Sequence, residues 1–86
     1  MRYVTMTDIL PEEVLERARR FFAENTLMQL AEDEGGSLLF RGGIGTARLR
    51  VDRRHGHTNV HVETSRVAGM DVTDVTKRFL YTLGHV

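Results

Sequence analysis

The stretch from Ile44 to Ser65, "IGTARLRVDRRHGHTNVHVETS", restricts this chain more than any other, because only one pairing of its halves sorts the side chains cleanly onto two faces. With His55-Gly56 as the turn residues, partner numbers sum to 111. Val51 then faces Val60, Leu49 faces Val62 and Ala47 faces Thr64 on one side of the ribbon. On the other side Asp52 meets Asn59, Arg50 meets His61, Arg48 meets Glu63 and Thr46 meets Ser65. Successive side chains of a strand point to opposite faces, so a slip of one residue would set valines against arginines. Both faces therefore specify the same register.

Upstream, the two-residue period continues in "LMQLAEDE" and "SLLFR", punctuated by Gly35-Gly36 and Gly42-Gly43. Four antiparallel strands joined by tight hairpins between Leu27 and Ser65 is the direct reading. Leu38 and Phe40 point inward in it, and Leu39 falls opposite Thr46 on the other face, where Leu27 and Ala31 can join it. "RYVTM", residues 2–6, reads as a further strand with Val4 and Met6 turned inward.

Two segments change to helical spacing. In "TDILPEEVLERARRFFAEN" the cap is expected at Asp8 or just after it, and Pro11 sits in the first turn, where a missing N–H costs nothing. Val14, Leu15, Ala18, Phe21 and Phe22 make its apolar stripe. In "GMDVTDVTKRFLYTLGHV" Asp71 is placed as the cap, Asp74 as the third residue, Met70 as a staple onto Val75, and Gly84 just past the end. Its buried stripe is Val72, Val75, Phe79 and Leu83, with Leu80 beside it.

The expected fold is a two-layer α+β domain of order β-α-β-β-β-β-α over residues 1–86, an antiparallel sheet with two helices on one face. At the level of topology it resembles one half of the TATA-box-binding-protein-like fold and, more loosely, the helix-grip proteins. DNA binding is not carried over with that resemblance. The TATA-binding family bends DNA with phenylalanine wedges on an apolar concave sheet, whereas the open face expected here carries arginine, histidine and acid.

Composition narrows the function classes. Without cysteine there is no disulfide, no thiolate nucleophile, no Cys-based zinc site and no CxxCH heme attachment. "MRYVTMTDILPEEV" has no apolar leader-like run, and no stretch approaches the roughly 18 apolar residues of a membrane span, so a soluble, cytoplasmic chain with no membrane role is expected. The chain is formally neutral, yet residues 1–40 hold four basic against eight acidic residues and residues 41–86 the reverse. Ion pairs between the halves are the expected use of this asymmetry, with a basic binding face or head-to-tail association as the alternative.

"RHGHTNVHVE", residues 54–63, invites a metal reading. At about 3.3 Å per strand residue, His57 and His61 stand roughly 13 Å apart, too far to share an ion whose ligand bonds are about 2 Å. We expect no metal and no cofactor. His61, between Arg50 and Glu63, is the one arrangement suited to acid–base chemistry, since a carboxylate can orient the imidazole and an arginine can hold an anion. An open sheet face, however, offers little of the enclosed volume of about 300 Å³ or more that ligand pockets have. "FRGGIG" precedes a strand, not a helix, and reads as a hairpin instead of a phosphate loop. The arginines lack interleaved aromatic residues, and the pI near 6.9 is not that of a nucleic-acid binder.

The sequence thus points to a non-enzymatic binding or assembly module, homodimeric through its open sheet face, with Leu39 as apolar anchor and Arg48, Arg50, His61 and Glu63 as contacts. Acidic residues 32–34 would meet basic residues across that interface. The alternative is an anion- or nucleic-acid-binding domain using the arginine-rich face. The third reading is a small hydrolase- or cyclase-like enzyme built around His61.

Overall fold

The computed structural model describes residues 1–66 and 72–83. Elements follow in the order β1 (Arg2–Thr7), α1 (Pro11–Asn25), β2 (Gln29–Glu34), β3 (Ser37–Gly42), β4 (Gly45–Arg54), β5 (His57–Arg66) and α2 (Val72–Thr82). All five strands form one antiparallel sheet in the order β1-β5-β4-β3-β2. Among the described residues, no helix is long and apolar enough to cross a membrane.

The β4–β5 ribbon has the register that its sequence requires, from Gly45 opposite Arg66 to Arg54 opposite His57. His55 and Gly56 carry φ of 55° and 80°. Two positive values in a two-residue loop make the mirror-image turn whose twist matches the strands it joins. The β3–β4 hairpin differs from expectation by two residues. Gly42 pairs with Gly45, so Gly43 and Ile44 form the turn and Leu39 lies opposite Arg48, not Thr46. A shift of two preserves the faces, which is why the alternation alone does not reveal it.

A larger correction concerns β1. Val4 and Met6 are 60% and 62% exposed, not turned inward. The strand enters the sheet beside β5 with Tyr3 opposite Val62 and Thr5 opposite Val60. Residues in line with the inward valines of β5 must share their face, so Tyr3, Thr5 and Thr7 turn to the helices while Val4 lies beside His61 and Met6 beside Asn59. Thr7 secures the strand end: its hydroxyl donates to the Leu83 carbonyl at 3.0 Å and accepts the Ile9 N–H at 3.2 Å.

Both helices cover one face. Val14, Ala18 and Phe22 of α1, with Val72, Val75 and Phe79 of α2, form one buried cluster with Leu38, Phe40, Leu49, Val60 and Val62 of the sheet. Phe22 is its hub, stacked on Phe40 with ring centres 4.3 Å apart and tilted against Phe79 at 5.8 Å. The first residue of α1 is Pro11, and the cap position, expected at Asp8 or just after it, falls on Leu10, which offers no side-chain bond. The expected cap and staple of α2 at Met70 and Asp71, and Gly84 beyond its end, lie outside the described residues.

Candidate functional site

Among the described residues no element covers the opposite sheet face, and the cross-strand registers arrange its side chains in rows. One row runs Glu32, Leu39, Arg48, Glu63, Arg2 across β2, β3, β4, β5 and β1. The next runs Glu34, Ser37, Arg50, His61, Val4, and a third holds Asp52, Asn59 and Met6.

In the first row the charges are matched, though not in the pairs that proximity in β4 and β5 suggests. Glu63 pairs with Arg2 at 3.0 Å, and Arg48 reaches Glu32 at 3.5 Å instead of pairing with Glu63. Neighbouring strands lie about 4.8 Å apart, so the Arg48 and Glu32 side chains together bridge roughly 10 Å across β3, with Leu39 between them in the row. That leucine keeps only 6% of its surface exposed and stays outside the main core cluster. The small apolar group expected around Leu39 is not assembled. Leu27 precedes β2 and stands 98% exposed beside the Gly43–Ile44 turn, on the rim of a mostly apolar hollow of about 570 Å³ that Val75 of α2 also lines.

The acidic run is likewise used within the chain. Asp33 meets Arg19 of α1 at 3.0 Å, in addition to the Glu32–Arg48 pair. Of these pairs only Glu32–Arg48 sets an acid of the first half against a base of the second, whereas Arg2–Glu63 joins the halves with the opposite polarity. Each is exposed to water and contributes about 0–1 kcal/mol.

The second row is where matching stops. Arg50 has Ser37 and His61 as lateral neighbours, and it has no ion-pair partner among the described residues. His61 does not turn to Glu63. Its Nε2 lies 3.1 Å from Oδ2 of Asp52, a diagonal neighbour, while the Asn59 amide donates to Oδ1 of the same carboxylate at 3.1 Å. The Asn59 hydrogen bond holds the Asp52 carboxyl below its ordinary value of 3.8, helped by His61 and the Arg54 charge and opposed by partial burial. The ionised carboxylate thus fixes the imidazole edge-on, leaving Nδ1 as the second ring nitrogen of His61. His57 is separate: its Nδ1 lies 3.2 Å from Asp8. Among the described residues, no three His, Asp or Glu side chains gather into a metal-ligand set.

Together Arg2, Arg48, Arg50, His61 and Glu63 wall a hollow of about 310 Å³ on the sheet face. The open face is therefore less flat than the strand pattern implies, because long side chains build walls on it, and the volume reaches the lower end of the range for ligand pockets, about 300 Å³. Four of the five expected contacts line it. Leu39 instead lines a neighbouring hollow of about 300 Å³ with Arg41, Thr46 and Arg48. Sequence reasoning misses Arg2 and Asp52. The first depends on where β1 inserts, and the second on a diagonal contact that a list of opposite pairs omits.

No protein-family model matches this chain, and no curated protein matches it.

Proposed function

We propose that this domain is a binding module for a small anionic group, a carboxylate or phosphate, held on the open sheet face with Arg50 as its principal contact. The observation that carries this reading is an arginine without a carboxylate partner among the described residues, set in a hollow that two further arginines and a histidine help to wall. Three guanidinium groups against the single Glu63 carboxylate leave the lining formally at +2 with His61 neutral. Guanidinium donors in a fork match a carboxylate or phosphate in two parallel bonds. His61, fixed by Asp52, adds a ring nitrogen at the same hollow.

Two other readings are served less well. Association of two copies through the centre of this face would rest on Leu39, which is only 6% exposed and offers a partner little apolar surface. Nucleic acid would find no aromatic platform, since every Phe ring that the sheet carries lies on the helix side.

Titration with pyrophosphate and with citrate at low salt, followed by amide chemical shifts and calorimetry, tests the proposal. Shifts should centre on Arg50 and His61. Arg50→Ala should weaken binding roughly 10- to 150-fold, the equivalent of one charge-assisted hydrogen bond of about 1.5–3 kcal/mol. Arg48→Ala should cost less, because Glu32 already engages that guanidinium. Binding that Arg50→Ala leaves unchanged sinks the reading.

A further inference from the structure

The two edges of the sheet are built differently. Edge strand β2 is exposed at every residue, carries Glu32, Asp33 and Glu34, and its pairing with β3 shifts between Leu30 and Glu32. Charge and a bulge are how natural sheets keep an edge from pairing. Edge strand β1 has neither device. Its six pairs with β5 run without a register shift, and its one charge, Arg2, is tied to Glu63.

The hydrogen-bond phase of β1 follows from its first residue. The Met1 ammonium donates to the Thr64 carbonyl at 2.7 Å, and the Thr64 N–H donates to the Met1 carbonyl at 2.7 Å. Opposite residues of an antiparallel pair alternate between exchanging both bonds and exchanging none. Met1, Tyr3, Thr5 and Thr7 therefore turn their backbone groups to β5, and Arg2, Val4 and Met6 turn theirs to the edge that no described strand pairs. The same three residues project onto the open face, where Val4 and Met6 are more than half exposed.

We infer that β1 is a pairing edge whose partner is β1 of a second copy of this chain, giving a ten-stranded sheet across a two-fold axis at Val4. In that register Val4 faces its own counterpart, Arg2 lies opposite Met6 of the other copy, and Tyr3 lies opposite Thr5 on the helix side. No like charges are opposed, and the outward N–H and C=O groups of Arg2, Val4 and Met6 all find partners. Self-pairing of β2 would set acid against acid, and β1 on β2 of another copy would leave free edges at both ends without closing. The Val4 and Met6 side chains, otherwise unexplained apolar surface, form a strip along the axis. This inference does not depend on anion binding, since the edge and the Arg50 hollow are different surfaces.

Sedimentation equilibrium of the full chain across a concentration series tests it, with amide exchange at Val4 and Met6 alongside. The expected mass is twice 9.8 kDa at high concentration, with protection of those two amides rising as the dimer forms. Val4→Pro removes an outward N–H and leaves the β1–β5 bonds in place, and Val4→Lys sets like charges together at the axis while keeping the backbone intact. Each should weaken association by about tenfold or more, with Val4→Lys retaining the wild-type amide spectrum away from the edge. A chain that stays at 9.8 kDa up to about 100 μM overturns the inference. So does a dimer that survives both substitutions, and so does one that Arg50→Glu abolishes while Val4→Lys does not.

Discussion

Removing either partner of the Phe22–Phe40 stack should cost stability that is not additive between them. Phe22 is 1% exposed and stacks on Phe40 at 4.3 Å with ring planes 15° apart, while Phe21 meets its edge at 5.7 Å. It joins α1 to β3 and, through Phe79, to α2. Truncation to alanine would cost about 3–5 kcal/mol. A domain of 86 residues has about 4–13 kcal/mol in total, so that variant risks unfolding outright. Leucine keeps most of the apolar volume and removes the ring. For Phe22→Leu the stack contributes about 0.5–1.5 kcal/mol and the imperfect fit about 1 more, giving roughly 1–3 kcal/mol and a fall in Tm of about 4–8 °C for each of these. Phe40→Leu removes the same stack from the other side. The double variant should therefore cost less than the sum of the singles by about 0.5–1.5 kcal/mol. Urea melts of the four proteins, accepted only if their m-values agree, give the cycle. Additivity to within about 0.3 kcal/mol would refute the stack as a coupled contact and reduce Phe22 to buried area alone.

Two further outcomes are expected. His55→Asn should raise stability by up to about 1 kcal/mol in thermal melts, because His55 has a φ of 55° and asparagine enters that region more readily than other side chains; a loss of stability would mean that the His55 ring makes a needed contact. By carbon-detected titration Asp52 should ionise below 3.8, and Asn59→Ala should move its midpoint up, since the Asn59 bond is the largest cause of the lowering. Because the folded value is depressed, the stabilisation from Asp52 is complete above the unfolded carboxyl value of about 3.9 and disappears as pH falls through the lower folded one. Asn59→Ala should therefore flatten the loss of stability on the acid side, and an unchanged Asp52 midpoint in that variant would contradict the assignment.

Legibility followed sequence distance. The β4–β5 register could be read because a two-residue turn joins two long strands whose faces both object to a slip, and the helix stripes could be read because their neighbours are three and four residues away. The inward set of β1 could not be read, since its parity is set by β5 more than fifty residues later. The Gly43–Ile44 turn escaped because a shift of two residues leaves each face intact. At the site, Arg50 and His61 were visible as an opposed pair. Arg2 came with the misplaced strand, and Asp52 was assigned to Asn59 alone although its second oxygen meets His61.

The same distinction bears on Arg50, which has no ion-pair partner among the described residues where Arg48 has one. Counted along β4 alone, Arg48 and Arg50 are equivalent, two outward arginines two residues apart. Across the sheet each row has a carboxylate two strands away, Glu32 and Glu34, but only the row of Arg48 adds Glu63 beside it, and of the two distant acids only Glu32 forms an ion pair with its row's arginine, at 3.5 Å. His61 is itself drawn away by Asp52 in the third row. One row is thus neutralised internally, and the next presents a guanidinium without an ion-pair partner among the described residues. Since every one of these side chains projects from the face opposite the Phe22 cluster, the chemistry of the rows and the stability of the core can change independently.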